Sequence, residues 1–237
     1  VVCSEQGTEL PFAKWSCYDN GLHTGLVMSW PGVIKAGSKV DSLISIADIT
    51  PTLVDAAGGN IKEGDVDGKS FLKTLHGEPQ VLHDYVYGAF TNCNMTDNKE
   101  RIYPIRVIRN NEFSFIYNAN HSELTSNITL SDITRTLYEN QAPGKKRGGA
   151  AFSWLALKGS SEKANFFIHK LNKRPQFELY RLSSDPYELN NEIDNPEYKS
   201  IAEKMKNALM AKLKKLGDSN PTATEEALLK SNKVKRK

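Results

Sequence analysis

Cysteine is scarce in this chain: Cys3, Cys17 and Cys93 are the only three in 237 residues. Their spacing fits neither a zinc site nor a disulfide framework. Long apolar runs are missing too. Nothing approaches the about eighteen consecutive apolar residues that a membrane-spanning helix needs. A surplus of one charge is also lacking, with 31 Lys and Arg against 28 Asp and Glu and a net charge of +3. That balance excludes the strong field of a nucleic-acid binder. There is no internal repeat. The chain opens directly on an apolar strand, so the expectation is the second part of a larger protein whose site is shared with the first.

What is present fits a globular chain with a sizeable core: 39% hydrophobic and 25% charged residues. The charge is uneven. Residues 201–237 hold ten Lys and Arg against four Asp and Glu, which reads as a solvated, frayed basic end. Asn-x-Ser/Thr triplets stand at Asn94, Asn120 and Asn127. They are glycan acceptors only in a eukaryotic secretory setting.

Along the chain, residues 1–3 read as the end of a buried strand, 12–21 as a loop over a site, and 26–30 as a second apolar strand closed by Pro31–Gly32. Asp48 or Thr50 can cap a helix over 52–57 that Gly58–Gly59 stops. Residues 64–68 form a turn and 70–76 a brief helix. Strands are expected over 81–90, 103–109 and 112–117, the last two joined at Asn110–Asn111. Residues 121–141 are polar, then weakly helical, and 143–149 form a basic loop. Residues 152–171 are partly helical with a break at 159–161, and 177–182 form an edge strand. Ile201, Met205, Leu209, Leu213 and Leu216 recur at helical spacing over 196–216, before Gly217.

The chemistry-bearing residues cluster at the start. Ser4–Glu5–Gln6–Gly7 follows a strand end, a common place for ligand sites in α/β folds. Glu5 and Gln6 offer oxygen donors of the kind that a hard divalent cation takes, but such an ion needs six or more. From spacing alone they equally form a solvated pair in a turn. Lys14 can grip an oxyanion as a point charge or be a surface lysine. Tyr18 and Asp19 can brace the loop by hydrogen bonds. His23 can serve as an acid or substrate contact, or be a partly buried structural histidine. Cys17 has no histidine nearby in sequence to activate it. Trp15, Trp30 and Trp154 read as packing residues.

These motifs, in this order, resemble the C-terminal portion of the type I, formylglycine-dependent sulfatases, and look closest to the group that includes heparan N-sulfatase. Ser4–Glu5–Gln6–Gly7 corresponds to that family's Ser-Asp-His/Asn-Gly. Lys14–Trp15 with Tyr18–Asp19 and Gly21 corresponds to its Lys-Trp…Tyr-Asp/Glu-x-Gly loop. Trp30–Pro31–Gly32, Asp48–Ile49–Thr50–Pro51–Thr52–Leu53 and Tyr103–Pro104–Ile105–Arg106 follow in the expected order. Glu178–Leu179–Tyr180 then leads into Asp185–Pro186–Tyr187–Glu188–Leu189–Asn190–Asn191. The sequence departs from the family in Glu5 for Asp, Gln6 for His/Asn, His23–Thr24–Gly25 for Arg-Val-Pro, and Phe90 where many relatives have histidine. These last two changes fall on the substrate pocket.

The resemblance implies an α/β fold: the C-terminal part of an alkaline-phosphatase-like sulfatase fold, followed by a small antiparallel α+β domain of about four strands. The catalytic part would occupy residues 1–80, the smaller domain 81–217, and a disordered basic tail 218–237. Glu5 and Gln6 match two ligands of a single calcium whose other ligands lie upstream. Lys14 matches the sulfate-gripping lysine, and His23 is a candidate acid. The nucleophile is a formylglycine on the missing N-terminal part, since no cysteine here begins its modification motif. The implied substrate is a sulfated carbohydrate, and the compartment periplasmic, secreted or lysosomal. Two other readings are a phosphodiesterase or phosphotransferase of the alkaline phosphatase superfamily, and a non-catalytic structural or binding remnant.

Overall fold

The structure, a computed structural model, describes residues 1–62, 64–91, 102–125 and 150–235. Cys93, the Asn94 and Asn127 triplets and the basic loop at 143–149 lie outside these, as do 126–141 of the polar stretch at 121–141. The chain forms two compact units, and they do not follow the linear boundary expected at residue 80. The first holds Val1–Glu5, Thr24–Tyr87 and Arg109–Asn111; the second holds Gln6–His23, Gly88–Ile108 and Glu112–Lys237.

In the first unit, β1 (Val2–Cys3) pairs antiparallel with β2 (Leu26–Val27), Val2 opposite Val27. Both strands are short. β1 is solvent-exposed rather than buried, because β2 is its single neighbour among the described residues. A 3-10 turn (Ile46–Asp48) leads into α2 (Ile49–Ala56). Ser45 and Asp48 close a capping box around it. Asp48 is fully buried and satisfied on both oxygens. It accepts from the Ser45 amide at 2.7 Å and the Lys69 amide at 2.8 Å, and His83 Nε2 lies 2.9–3.0 Å from both oxygens. Its place in the Asp-Ile-Thr-Pro-Thr motif is therefore structural: one carboxylate ties together segments 35 residues apart. Gly68 is required beside it, since a Cβ there would sit 2.0 Å from the Ala47 carbonyl oxygen. A short α3 (Leu72–Leu75) completes the unit.

The second unit is built on a four-stranded sheet in the order β3 (Val86–Phe90), β4 (Ile105–Arg109), β5 (Phe113–Asn118), β6 (Phe177–Arg181). The first strand begins in the preceding unit and is shorter than the expected 81–90. β5 and β6 pair antiparallel, Phe115 opposite Leu179, and β6 is an edge, as its sequence suggests. α4 (Ala150–Leu155) and α5 (Glu162–Asn172) flank the expected break. Ser161 caps α5 by accepting from the Ala164 amide.

The long helix α6 (Lys199–Lys215) contacts β5 and buries Ala202, Met205, Leu209 and Leu213. It ends as a Schellman turn: Gly217 adopts φ +72 and the Asp218 amide bonds the Leu213 carbonyl at 2.8 Å. Leu216, expected on the buried stripe, lies past that stop and is 58% exposed. Ile201 is half-buried.

The tail expected to be disordered forms a helix, α7 (Pro221–Lys235), with Asn220 capping the Ala223 amide. Its inner end carries Glu225, which is 1% exposed. Glu225 lies 3.5 Å from Arg106, which also donates Nε–H to Asp218 at 2.7 Å. Asn120 is half-buried here, donating to the Ile102 carbonyl and accepting from Thr222. Its amide nitrogen is thus engaged, which speaks against glycan attachment at that site.

Burial pushes Glu225 up from 4.5 to about 7, against the opposing pull of Arg106. An acid raised in the folded state favours folding while it holds its proton. That contribution is complete below about pH 4.5 and fades as pH rises towards 7. Glu225→Gln, neutral throughout, should match the wild type in urea midpoint at about pH 5 and exceed it at about pH 8. A pH-independent difference between the two proteins would contradict this account of Glu225.

Candidate functional site

The segment Gly7–Gly21 is an internally braced loop. The Lys14 amide donates to Thr8 O at 2.9 Å, the Ala13 amide to Leu10 O, and the Ser16 hydroxyl to Ala13 O at 2.6 Å. Gly7 has φ +58, and a Cβ there would lie 2.2 Å from Asn20 O and 3.1 Å from the Lys14 amide nitrogen. The backbone after Gln6 therefore runs against Lys14 and Asn20, an approach that only glycine permits. Phe12 and Trp15, on either side of Lys14, are both held at φ +64. Bulky residues adopt that region only when their surroundings enforce it.

The enforcement comes from packing. Ala13, Ser16, Cys17 and Tyr18 are buried. Cys17 and Tyr18 form one core cluster with Tyr103, Ile105, Val107, Ile116 and Tyr180, against which Phe12, Leu22 and Phe90 pack. Phe90, at the position where many relatives carry histidine, is thus a packing residue here. Phe12 also meets Trp154, ring centroids 5.8 Å apart. Burial pushes the Cys17 thiol up to about 12, so it stays protonated and is no nucleophile.

Tyr18 turns inward. Its hydroxyl donates to Glu178 Oε2 at 2.8 Å; Tyr180 donates to the same oxygen, and Asn118 donates to Oε1 at 2.7 Å. Lys170 donates to the Tyr180 hydroxyl at 3.1 Å and to the Glu188 carbonyl, and lies 5.0 Å from the Tyr18 ring centre. The Arg174 guanidinium lies over the same Tyr18 ring, 4.9 Å from its centre, and Arg174 is 2% exposed. Burial, with Glu178 beside it, raises Tyr18 well above its ordinary value. Burial lowers Lys170, and Glu178 opposes that shift. The Asp19 amide donates to Glu188 Oε2 at 2.5 Å. Asp19 opens the four-residue α1 (Asp19–Leu22), and its carboxylate lies 3.4 Å from His23 Nδ1. The His23 side chain is 75% exposed, so the partly buried structural histidine is not what forms.

The candidate residues therefore fall as follows. Gln6, Lys14, Tyr18, Asp19 and His23 belong to the second unit, and Glu5 to the first. Gln6 leads into Gly7 at the Lys14 backbone, Asp19 meets His23, and Tyr18 anchors the loop to the core. Glu5 and Gln6 are exposed. Their carboxylate and amide oxygens suit a hard cation. Among the described residues, no group of three or more His, Cys, Asp or Glu could hold a metal. Glu5 and Gln6 thus offer donor chemistry for at most part of a ligand set. Glu178 and Glu188 stand in the family motifs without an assigned role, and Lys170, Arg174 and Asn118 lie outside those motifs. No local pattern marks them, since both faces of β6 are buried at Glu178, Leu179 and Tyr180.

Residues 7–142 match the family described as N-sulphoglucosamine sulphohydrolase, C-terminal. An ulvan-active sulfatase of Formosa agariphila is 35% identical over 209 residues, 86% of this chain and 36% of that protein. A solved 2-O GAG sulfatase superposes with TM-score 0.53 at 19% identity, covering 87% of this chain and 33% of its own. The phosphonate monoester hydrolase of Silicibacter pomeroyi superposes with TM-score 0.52 at 17% identity, covering 85% and 31%. The α/β fold is thus that of the C-terminal part of alkaline-phosphatase-like sulfatases. The chain spans about a third of the length of the curated relatives it matches.

Proposed function

The chain belongs to the N-sulphoglucosamine sulphohydrolase C-terminal family, and from that premise we propose that it is the C-terminal third of a sulfatase acting on sulfated carbohydrate. The family match across the braced Lys14 loop carries this reading. Relatives named for ulvan and for N-sulphoglucosamine support the carbohydrate class. Among the described residues no helix is long and apolar enough to cross a membrane. The proposed compartment is periplasmic, secreted or lysosomal.

Within that reading, Lys14 binds a sulfate oxygen and stabilises charge on the transferring group. Glu5 and Gln6 contribute two oxygens to one calcium, and His23, exposed at the end of α1, contacts substrate or gives a proton to the leaving group. When present, a formylglycine from the preceding part would supply the nucleophile, and calcium would offset anionic charge. Tyr18 and Asp19 hold the loop.

A second reading, phosphoryl or phosphonyl hydrolysis, is favoured by one observation: the phosphonate monoester hydrolase shares the fold. Product analysis separates the two. The intact protein containing this chain should release sulfate from sulfated saccharides far faster than it releases phosphate from the corresponding phosphorylated saccharides, and should lose sulfate release on calcium chelation. The 237-residue chain alone should show no turnover. Phosphate release without sulfate release from the intact protein would favour the second reading, and turnover by the isolated chain would refute the division of the site.

A further inference from the structure

We propose that Glu188 is a positioning residue for the Lys14 loop, acting through the Asp19 amide; this rests on the sulfatase reading above. Glu188 is 1% exposed and adopts φ +53. Three non-glycine residues have positive φ among the described residues: Phe12, Trp15 and Glu188. Two flank Lys14 and the third reaches the same loop from 169 residues away. Backbone conformations of this kind persist where surrounding structure over-determines them, and they concentrate at functional sites.

The turn that presents Glu188 is built for the purpose. Asp185 accepts from the Leu189 amide at 3.0 Å and the Asn190 amide at 2.8 Å, and its carbonyl accepts from the Glu188 amide at 3.1 Å. Lys170 binds the Glu188 and Leu189 carbonyls. The turn thus delivers a carboxylate oxygen to the Asp19 amide at 2.5 Å. From Asp19 the path is short. The next residue, Asn20, places its carbonyl against Gly7, whose backbone adjoins the Lys14 amide. Gly21 follows, so close to Ala13 that a Cβ would lie 2.3 Å from the Ala13 oxygen. Moving Asp19 therefore moves both walls of the loop that carries Lys14. A displacement of about 1 Å at a group that contacts the reacting centre can cost up to about a hundredfold in rate.

The test uses the intact sulfatase and two readouts. Glu188→Ala should lower kcat/KM by between about tenfold and a hundredfold. Glu188→Gln, which keeps a carbonyl acceptor, should recover to within about threefold of wild type and guards against misfolding of the alanine variant. On a Lys14→Ala background, Glu188→Ala should add less than about twofold, because both act through the same ammonium. Amide hydrogen exchange across residues 13–21 should accelerate in Glu188→Ala and not in Glu188→Gln. Multiplicative effects of the two substitutions would overturn the positioning role, and unchanged exchange would overturn the clamp itself. A wild type without sulfatase activity overturns the sulfatase reading instead, and exchange then still decides the clamp.

Discussion

Lys14→Ala in the intact protein lowers sulfate release by about a hundredfold to a thousandfold, the range seen when one preorganised donor to a developing anion is removed. The proposed role sets Lys14 on a braced backbone. Its amide is tied to Thr8, its neighbours are held at positive φ, and Gly7 packs against its backbone. Lys14→Arg keeps the charge but replaces a compact point charge with a planar fork. It should recover only part of the rate, about tenfold below wild type, with the deficit in kcat/KM. Steady-state kinetics on a sulfated saccharide measure both. If Lys14→Ala falls within about threefold of wild type, Lys14 is not the sulfate-gripping group, and the role assigned by resemblance is wrong.

How much of this was legible depends on distance along the chain. The hairpin of β4 and β5 shows in two apolar runs around Asn110–Asn111, and α6 shows in its 3.6-residue period and Gly217. Both are local codes. Asp48 reads in sequence as a cap for α2, yet it makes no side-chain cap bond there; it closes the box that Ser45 opens, and its role as a hub is hidden because His83, its partner, lies 35 residues away. The helical tail escaped notice for the same reason. α7 has little apolar patterning of its own, and its inner residue Glu225 is matched to Arg106, which no local pattern reveals. β1 looked buried from Val1–Cys3, yet burial is a property of neighbours rather than of the strand. At the candidate site, the residues near the start were visible as motifs. Their supports were not, since Tyr18 and Glu178 are 160 residues apart and Asp19 and Glu188 are 169 apart. A buried charge on an edge strand looks the same in sequence as an exposed one.

Glu178 is where those long-range supports converge, and its removal should be the most damaging single change to the second unit. The carboxylate is 1% exposed and takes hydrogen bonds from Tyr18, Tyr180 and Asn118. Lys170 and Arg174 lie close enough to be held by its charge, and both are largely withdrawn from water. Glu178→Ala leaves two cations facing three orphaned donors. Breaking a buried ionic group by deleting one side costs about 3–5 kcal/mol. In a chain of this size that corresponds to a fall in melting temperature on the order of 10 °C. Glu178→Gln keeps one acceptor oxygen and the shape, so its cost is smaller, about 1–3 kcal/mol. Replacing Lys170 together with Glu178, by methionine and leucine, should cost at least as much as Glu178→Ala, since the same three donors lose their acceptor and the Glu188 and Leu189 carbonyls lose Lys170 as well. That ordering is the decisive feature. Thermal unfolding followed by circular dichroism ranks the three variants. A Glu178→Ala protein that melts with the wild type would show the cluster to be well solvated or already unpaired. In that case the loop bearing Lys14 is held by its apolar contacts, its own backbone bonds and the Glu188–Asp19 bond.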